Sequence, residues 1–194
     1  MKQIYKSFGV GLFLLSTNLV ASSLNSIGIN LGNSHTGYSQ IDTKGTTTLG
    51  NEPDTLYKTI ELYLALQDTH YENIKHYLSF NYGYNDELKH QYILGGINRY
   101  FENFYVGVLI GYGELTWKYD PINNAKDKNY NANSILAGIQ IGYDIPLSNS
   151  ISLGLNSKVL FHNYETTIEP TNEISSQITH NYTANVGVGI KYSF

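Results

Sequence analysis

The chain has 194 residues, a formal net charge of −4 and a sequence pI near 5.8, and it contains no cysteine. That balance argues against a nucleic-acid partner, the missing thiols exclude disulfides and thiolate metal sites, and the length allows one domain or a targeting segment plus one domain. Eighteen Tyr and eighteen Gly beside only 14% charged residues favour strands over helices.

Residues 1–22 read as a secretory signal. Lys2 and Lys6 form a positive start, Phe8 to Leu15 is a short apolar core, and small residues follow at Ala21, Ser22 and Ser23. Residues 23–194 are then the mature domain. No later segment has the ~18 continuous apolar residues of a membrane helix, so membrane residence would require a closed barrel.

The mature chain divides into segments of period two, the repeat of a strand with one apolar and one polar face. Ser26 to Gly32 comes first, with Ile27, Ile29 and Leu31 on one side. Tyr57 to Gln67 sets Ile60, Leu62, Leu64 and Leu66 against Thr59, Glu61, Tyr63 and Ala65. Ile74 to Tyr84 follows, with Ile74, His76, Leu78, Phe80, Tyr82 and Tyr84 on one face. Gln91 to Tyr100 is blurred by Gly95 and Gly96, and Arg99 marks its polar side. Phe104 to Gly113 is clear, and its continuation to Trp117 suggests a bulge. Asn133 to Tyr143, Ile151 to His162 and Ile178 to Phe194 complete about eight strands, each near or beyond the ~9–11 residues that cross a bilayer when tilted. In the last strand Ile178, His180, Tyr182, Ala184, Val186, Val188, Ile190, Tyr192 and Phe194 share the apolar face.

The links alternate in length. Asn33 to Leu56, Lys118 to Tyr130 and Asn163 to Gln177 are long, whereas Asp68 to Asn73, Phe101 to Asn103 and Asp144 to Ser150 are short. A barrel with both ends in the periplasm predicts this, with long loops outside and short turns inside. A soluble lipocalin-like barrel would instead turn its apolar face inward around a ligand. Small residues on the polar face favour the membrane orientation. So do aromatics near the ends of the apolar face, Tyr82, Tyr84, Phe104, Tyr112, Tyr143, Phe161, Tyr182, Tyr192 and Phe194, which suit two interfacial girdles. The expected fold is all-β, a closed antiparallel up-and-down transmembrane barrel.

Two stretches carry a family resemblance. Gly142-Tyr143-Asp144-Ile145-Pro146-Leu147 leads into Ser150-Ile151-Ser152-Leu153-Gly154, and the chain ends on Lys191-Tyr192-Ser193-Phe194. With the strand pattern, these resemble the small eight-stranded bacterial outer-membrane β-barrels of the opacity-like, OmpA/OmpX type. The resemblance implies residence in the outer membrane, with outer-membrane lipids and lipopolysaccharide around the wall. It also implies that Tyr192 and Phe194 form the signal read by the outer-membrane assembly machinery. Enzymes occur on this scaffold and need a nucleophile beside a base. None of His35, His70, His76, His90, His162 and His180 sits in a His-x-Ser pair, and His76 and His180 fall on the lipid face near its ends. No catalytic residue, metal ligand or cofactor motif is assigned; the spacing of Asp120 and Asp127 does not match a calcium loop.

The polar face is more informative. Glu61, Tyr63, Gln140, Asn156, Lys158 and Asn185 belong near mid-height in the lumen, and Lys75, Arg99, Asp144 and Lys191 nearer the periplasmic end. An unpaired charge there is costly, so Glu61 is expected to pair with Lys158. Tyr63, Tyr77, Tyr105, Leu109, Leu136 and Leu160 on the same face lean toward a blocked lumen. The reading is a non-enzymatic scaffold whose extracellular loops, Asn33–Leu56 and Asn163–Gln177 above all, meet an unidentified partner. A narrow porin-like channel is the alternative, and a lipid-modifying enzyme ranks behind both.

Overall fold

A computed structural model describes residues 23–44, 54–119, 128–171 and 174–194. The signal expected over residues 1–22, and Asp120 and Asp127, lie outside the described residues. Eight strands follow in order: β1 (Ser23–Lys44), β2 (Leu56–Gln67), β3 (Ile74–Tyr84), β4 (Leu88–Phe101), β5 (Phe104–Tyr119), β6 (Lys128–Pro146), β7 (Ile151–Thr171) and β8 (Ile174–Ser193). Each pairs antiparallel with the next and β1 pairs with β8, so the sheet closes and leaves no free edge.

The alternation read from the sequence becomes an outside and an inside. Val108, Ile110, Ile135 and Val186 are 62%, 63%, 66% and 65% exposed, whereas Glu61, Lys158 and Gln140 are 3%, 1% and 3% exposed. A wall in water would not display such a belt. A wall in lipid must.

Three short turns close one end: Asp68–Asn73, Glu102–Asn103 and Leu147–Ser150. Both chain ends lie at this turn end, because Ser26 pairs with Ser193 and the Phe194 N–H donates to the Asn25 carbonyl at 3.0 Å. Glu102 takes φ 59°, the left-handed value that a two-residue hairpin demands and that L-residues seldom adopt.

At the far end the strands outrun the sequence reading. Of the expected loop at Asn33–Leu56, the first half is strand, since β1 continues to Lys44. The expected loop at Asn163–Gln177 is strand on both sides, with β7 reaching Thr171 and β8 starting at Ile174, paired to each other. The reason is an inversion of polarity. Outward positions turn polar here: Asn33 and His35 on β1, Asn131 and Asn133 on β6, Asn163, Glu165 and Thr167 on β7. Inward positions turn apolar, and Tyr57, Leu88, Leu115, Trp117, Tyr164, Ile168 and Ile178 form a buried cluster. Each such side chain contributes about 1.5–3 kcal/mol when fully buried, enough to hold strands together beyond the membrane. Polar residues on alternate positions had looked like loop.

Two further expectations are corrected. The bulge proposed toward Trp117 does not exist: β5 keeps an unbroken register with β4 and β6, and Leu115 and Trp117 simply continue its inner face. The break lies in β8. Thr36 pairs with Thr183 and Tyr38 with His180, so Asn181 and Tyr182 together oppose Gly37. A bulge of this kind shifts the side-chain phase by one. Ile178 and His180 are therefore fully buried inside, whereas Val186, Val188 and Ile190 remain outside. Gly37 is required at this point, because a Cβ there would lie 2.3 Å from the Tyr182 ring.

Candidate functional site: the filled lumen

The lumen is filled in layers. Nearest the turn end, Lys191 forms an ion pair with Asp144, and both are buried. Lys75 Nζ lies 4.5 Å from the Tyr100 ring centroid, and Lys191 Nζ lies 5.6 Å from the same ring on its own approach. Arg99 is not in this layer. Gly95 and Gly96 blur the faces of this strand, and the charge of Arg99 does not mark the inner one. On β4 the inward residues are Leu88, His90, Tyr92, Leu94 and Asn98, so Arg99 points outward, exposed, with its guanidinium 5.3 Å from the Phe101 ring. At a strand end a long cationic side chain keeps its charge in water while its stem lies on the wall.

The next layer is built around Glu61. Lys158 forms an ion pair with its Oε1, and Tyr77 donates its hydroxyl to the same oxygen. Asn30 Nδ2 donates to Oε2 at 2.7 Å. The carboxylate thus has partners on both oxygens, which makes a buried charge tolerable in this wall. Gln140 donates to Asn98 beside it, and Asn185 Nδ2 donates to Ser34 Oγ at 2.8 Å. Tyr63 stacks on Tyr77 with ring centroids 5.6 Å apart. Sequence reasoning placed Glu61 and Lys158 at one height, and the structure has them in contact.

Above this pair the filling is apolar. Tyr77, Tyr92, Leu94, Leu109, Leu136 and Leu160 form one cluster, with the four leucines 0–4% exposed. An eight-stranded barrel leaves an interior just wide enough for side chains to fill.

A further layer went unread in the sequence. His90 shares hydrogen bonds with Tyr57 Oη at 2.7 Å and with Tyr164 Oη at 2.9 Å. His162 Nδ1 donates to the His180 carbonyl at 3.0 Å, and its Nε2 hydrogen-bonds Thr183 Oγ1 at 2.8 Å. A carbonyl can only accept, so the His162 proton sits on Nδ1 and the threonine hydroxyl supplies the other bond. His180, expected on the lipid face, lies instead within the barrel between Tyr38 and Trp117, at centroid distances of 5.5 and 4.9 Å. The available signal was parity. Counting in twos from Tyr100 leads through Tyr92 to His90, which lies just outside the expected strand Gln91–Tyr100 and inside β4.

The outer wall carries the aromatics in two bands, with Phe104, Tyr143, Tyr192 and Phe194 at the turn end and Tyr84 and Phe161 toward the far end, all 40–69% exposed. Tyr192 and Phe194 are packed edge to face, 5.2 Å between centroids.

A family model described as a protein of unknown function, DUF3575, matches residues 28–194. The chain belongs to that family. No curated protein matches the chain. Among solved structures this DUF3575 member is similar to Neisserial surface protein A, with TM-score 0.50 and 10% identity over 87% of this chain and 97% of that one. It is also similar to the outer membrane protein OprG from Pseudomonas aeruginosa, at TM-score 0.48 and 9% identity over 89% and 97% of the two chains. The fold is that of the small eight-stranded outer-membrane barrels. With its apolar belt outward and its charges inside, the DUF3575 chain is an integral protein of the bacterial outer membrane. The turn end then faces the periplasm and the far end the exterior.

Proposed function

We propose that this chain is a non-conducting, non-catalytic outer-membrane scaffold whose extracellular strand extensions present a binding surface. One observation carries the reading: among the described residues, buried side chains fill the lumen from the Lys191–Asp144 pair up to the Trp117 cluster. The Glu61–Lys158 pair is topped by Leu94, Leu109, Leu136 and Leu160, and then by the His90 layer and the Trp117 cluster. Ions crossing this path would have to displace a buried ion pair and two apolar clusters. His90 is fully buried and links Tyr57 to Tyr164 through its two ring nitrogens, which supports reading it as a strut within the filling. The partner surface includes polar, outward strand positions such as Asn131, Asn133, Asn163 and Glu165. Polar groups on a rigid frame are a usual place for recognition.

Planar-bilayer recording of the refolded protein tests the lumen, with heat-modifiable gel mobility as the folding control. Folded protein should insert without stable openings. Reproducible openings that change when Glu61 or Lys158 is neutralised would replace this reading with a channel.

A further inference from the structure

Three imidazoles share one layer in the extracellular half of the barrel. His90 and His162 lie 5.9 Å apart between ring centroids, and His162 donates to the His180 carbonyl at 3.0 Å. All three are buried. The titratable groups that face them from the other strands are tyrosines: Tyr38 on β1, Tyr57 on β2, Tyr92 on β4 and Tyr164 on β7, with Tyr130 of β6 behind Trp117. β3 contributes Gly83, β5 Trp117 and β8 Thr183. Among the described residues no carboxylate forms an ion pair with any of the three rings. Glu61, in a lower layer, is held by Lys158, and Glu114 stands on the outer side of β5, where it accepts from Asn131 at 3.4 Å.

The bonds in this layer need neutral rings. His162 donates from Nδ1 and accepts at Nε2 from Thr183. His90 bridges Tyr57 and Tyr164, and a neutral ring donates one of these bonds and accepts the other. An added proton turns every ring nitrogen into a donor. Thr183 and one tyrosine must then turn their hydroxyls round. His180 is worse placed, because neither of its nitrogens has a hydrogen-bond partner among the described residues. A buried charge without a counter-charge is costly, and a second one 5.9 Å from the first adds repulsion. In the membrane half the charges of Glu61 and Lys158, and of Asp144 and Lys191, are already paired.

We propose that the histidine layer is an acid-sensitive latch. Protonation of His90, His162 and His180 opens the extracellular half and leaves the membrane half closed. Opening displaces His162 and Tyr164, and with them Asn163 and Glu165 on the outer face of the same strand. The exposed surface thus changes shape with the pH outside the cell. A solvated imidazole titrates near its ordinary value of about 6.5. Rings neutral in the closed state and charged in the open one hold the latch fully above that value and release it as pH falls below. Each proton taken up on opening shifts the open-to-closed ratio by about tenfold per pH unit, so three give a steep transition. The inference stands whether or not the surface binds a partner.

Acrylamide quenching of Trp117, on the full refolded chain in neutral detergent, tests it. Trp117 is the one tryptophan of the chain, is fully buried and packs 4.9 Å from His180. Quenching should be weak at neutral pH and rise steeply and reversibly below about pH 6.5, while heat-modifiable gel mobility still reports a closed barrel. His162→Gln keeps one donor and one acceptor and should make the transition shallower by about tenfold per pH unit. His90→Gln/His162→Gln/His180→Phe should abolish it. His76→Gln, in the periplasmic turn, should leave it unchanged. Where the triple variant does not fold, the steepness in His162→Gln decides. Flat quenching down to about pH 4, unchanged steepness in His162→Gln, or a transition that survives in the folded triple variant would each overturn the proposal. So would loss of heat-modifiable mobility over the same range, because acid would then be unfolding the whole barrel.

Discussion

The two ends of this barrel solve opposite problems with the same ladder. In the membrane the wall meets lipid, so Ile60, Val108, Ile139 and Val188 face out and Glu61, Gln140, Lys158 and Asn185 face in. Beyond the membrane the wall meets water, so Asn131, Asn163 and Glu165 face out and Leu115, Trp117, Tyr164 and Ile178 form a core. The strands run through the change without stopping, because backbone pairing is indifferent to which face is apolar. The lower half is organised by charge pairs and the upper half by ordinary core packing. A perturbation in one half should therefore have a different signature from one in the other.

The largest expected effect separates them. Lys158→Met leaves the Glu61 carboxylate buried without its cation and should cost about 3–5 kcal/mol, read as a lower urea midpoint in detergent. Glu61→Gln/Lys158→Met, which removes both charges but keeps a side-chain acceptor for the Tyr77 hydroxyl, should recover much of that loss. If the single and double variants unfold alike, the pair is not what organises the lower half. In the upper half, His90→Phe strands the buried hydroxyls of Tyr57 and Tyr164, at about 1–3 kcal/mol for each group left without a partner. Its effect should be local. Amides of Leu88 to Tyr92 and around Tyr164 should exchange faster while those around Glu61 keep their protection. Uniform loss across the barrel would mean that the two halves are a single cooperative unit.

How much of this could be read from residues alone follows the same division. β3 is legible to its ends, Ile74 and Tyr84, because Ile74, Leu78, Phe80, Tyr82 and Tyr84 alternate with Lys75, Ser79, Asn81 and Gly83. Glu61 and Lys158 could be set at one height by counting from strand ends, because the belt supplies an unbroken period of two. Beyond the belt that same rule misleads. Asn163, Glu165 and Thr167 alternate with Tyr164, Thr166 and Ile168, a weaker contrast of reversed sense, and the stretch reads as loop. His180 was misplaced for a different reason. A bulge at Asn181–Tyr182 changes the phase without leaving a composition cue, since Tyr182 continues the alternate set of Ala184 and Val186 and Asn181 continues that of Thr183 and Asn185. Arg99 shows the limit at the other end. A rim position tolerates a charge on either face, so its charge does not identify the inside.

Smaller effects test whether the periplasmic end is as tightly specified as it looks. Glu102 holds φ 59° in the turn between β4 and β5. A left-handed L-residue costs roughly 1–2 kcal/mol, so Glu102→Gly should stabilise the barrel by somewhat less than that, about 1 kcal/mol, after the entropy a glycine gives up. A lower urea midpoint in this variant would show that the Glu102 side chain makes a contact worth more than the strain.

The smallest effect is a pH dependence in the turn between β2 and β3. Asp68 Oδ1 accepts the His70 and Tyr71 N–H groups at 2.8 and 3.0 Å, and its Oδ2 lies 3.0 Å from His76 Nε2. The His70 N–H leads these contacts in holding the Asp68 carboxyl below its ordinary value, with His76 next. A carboxyl lowered in the folded state contributes stability that is present above its unfolded value and is lost as pH falls through the folded one. Protection of the His70 and Tyr71 amides should therefore hold through neutral and mildly acidic pH and fall only once Asp68 is protonated. Asp68→Asn should remove that pH dependence. The same turn is independently tied by Gln67 Nε2, which donates to the carbonyls of Glu72 at 2.9 Å and Ile74 at 3.1 Å. Protonation should thus loosen two amides without opening the hairpin. If acid instead frees the whole β2–β3 link, the glutamine contacts are too weak to hold it and the carboxylate is its principal brace.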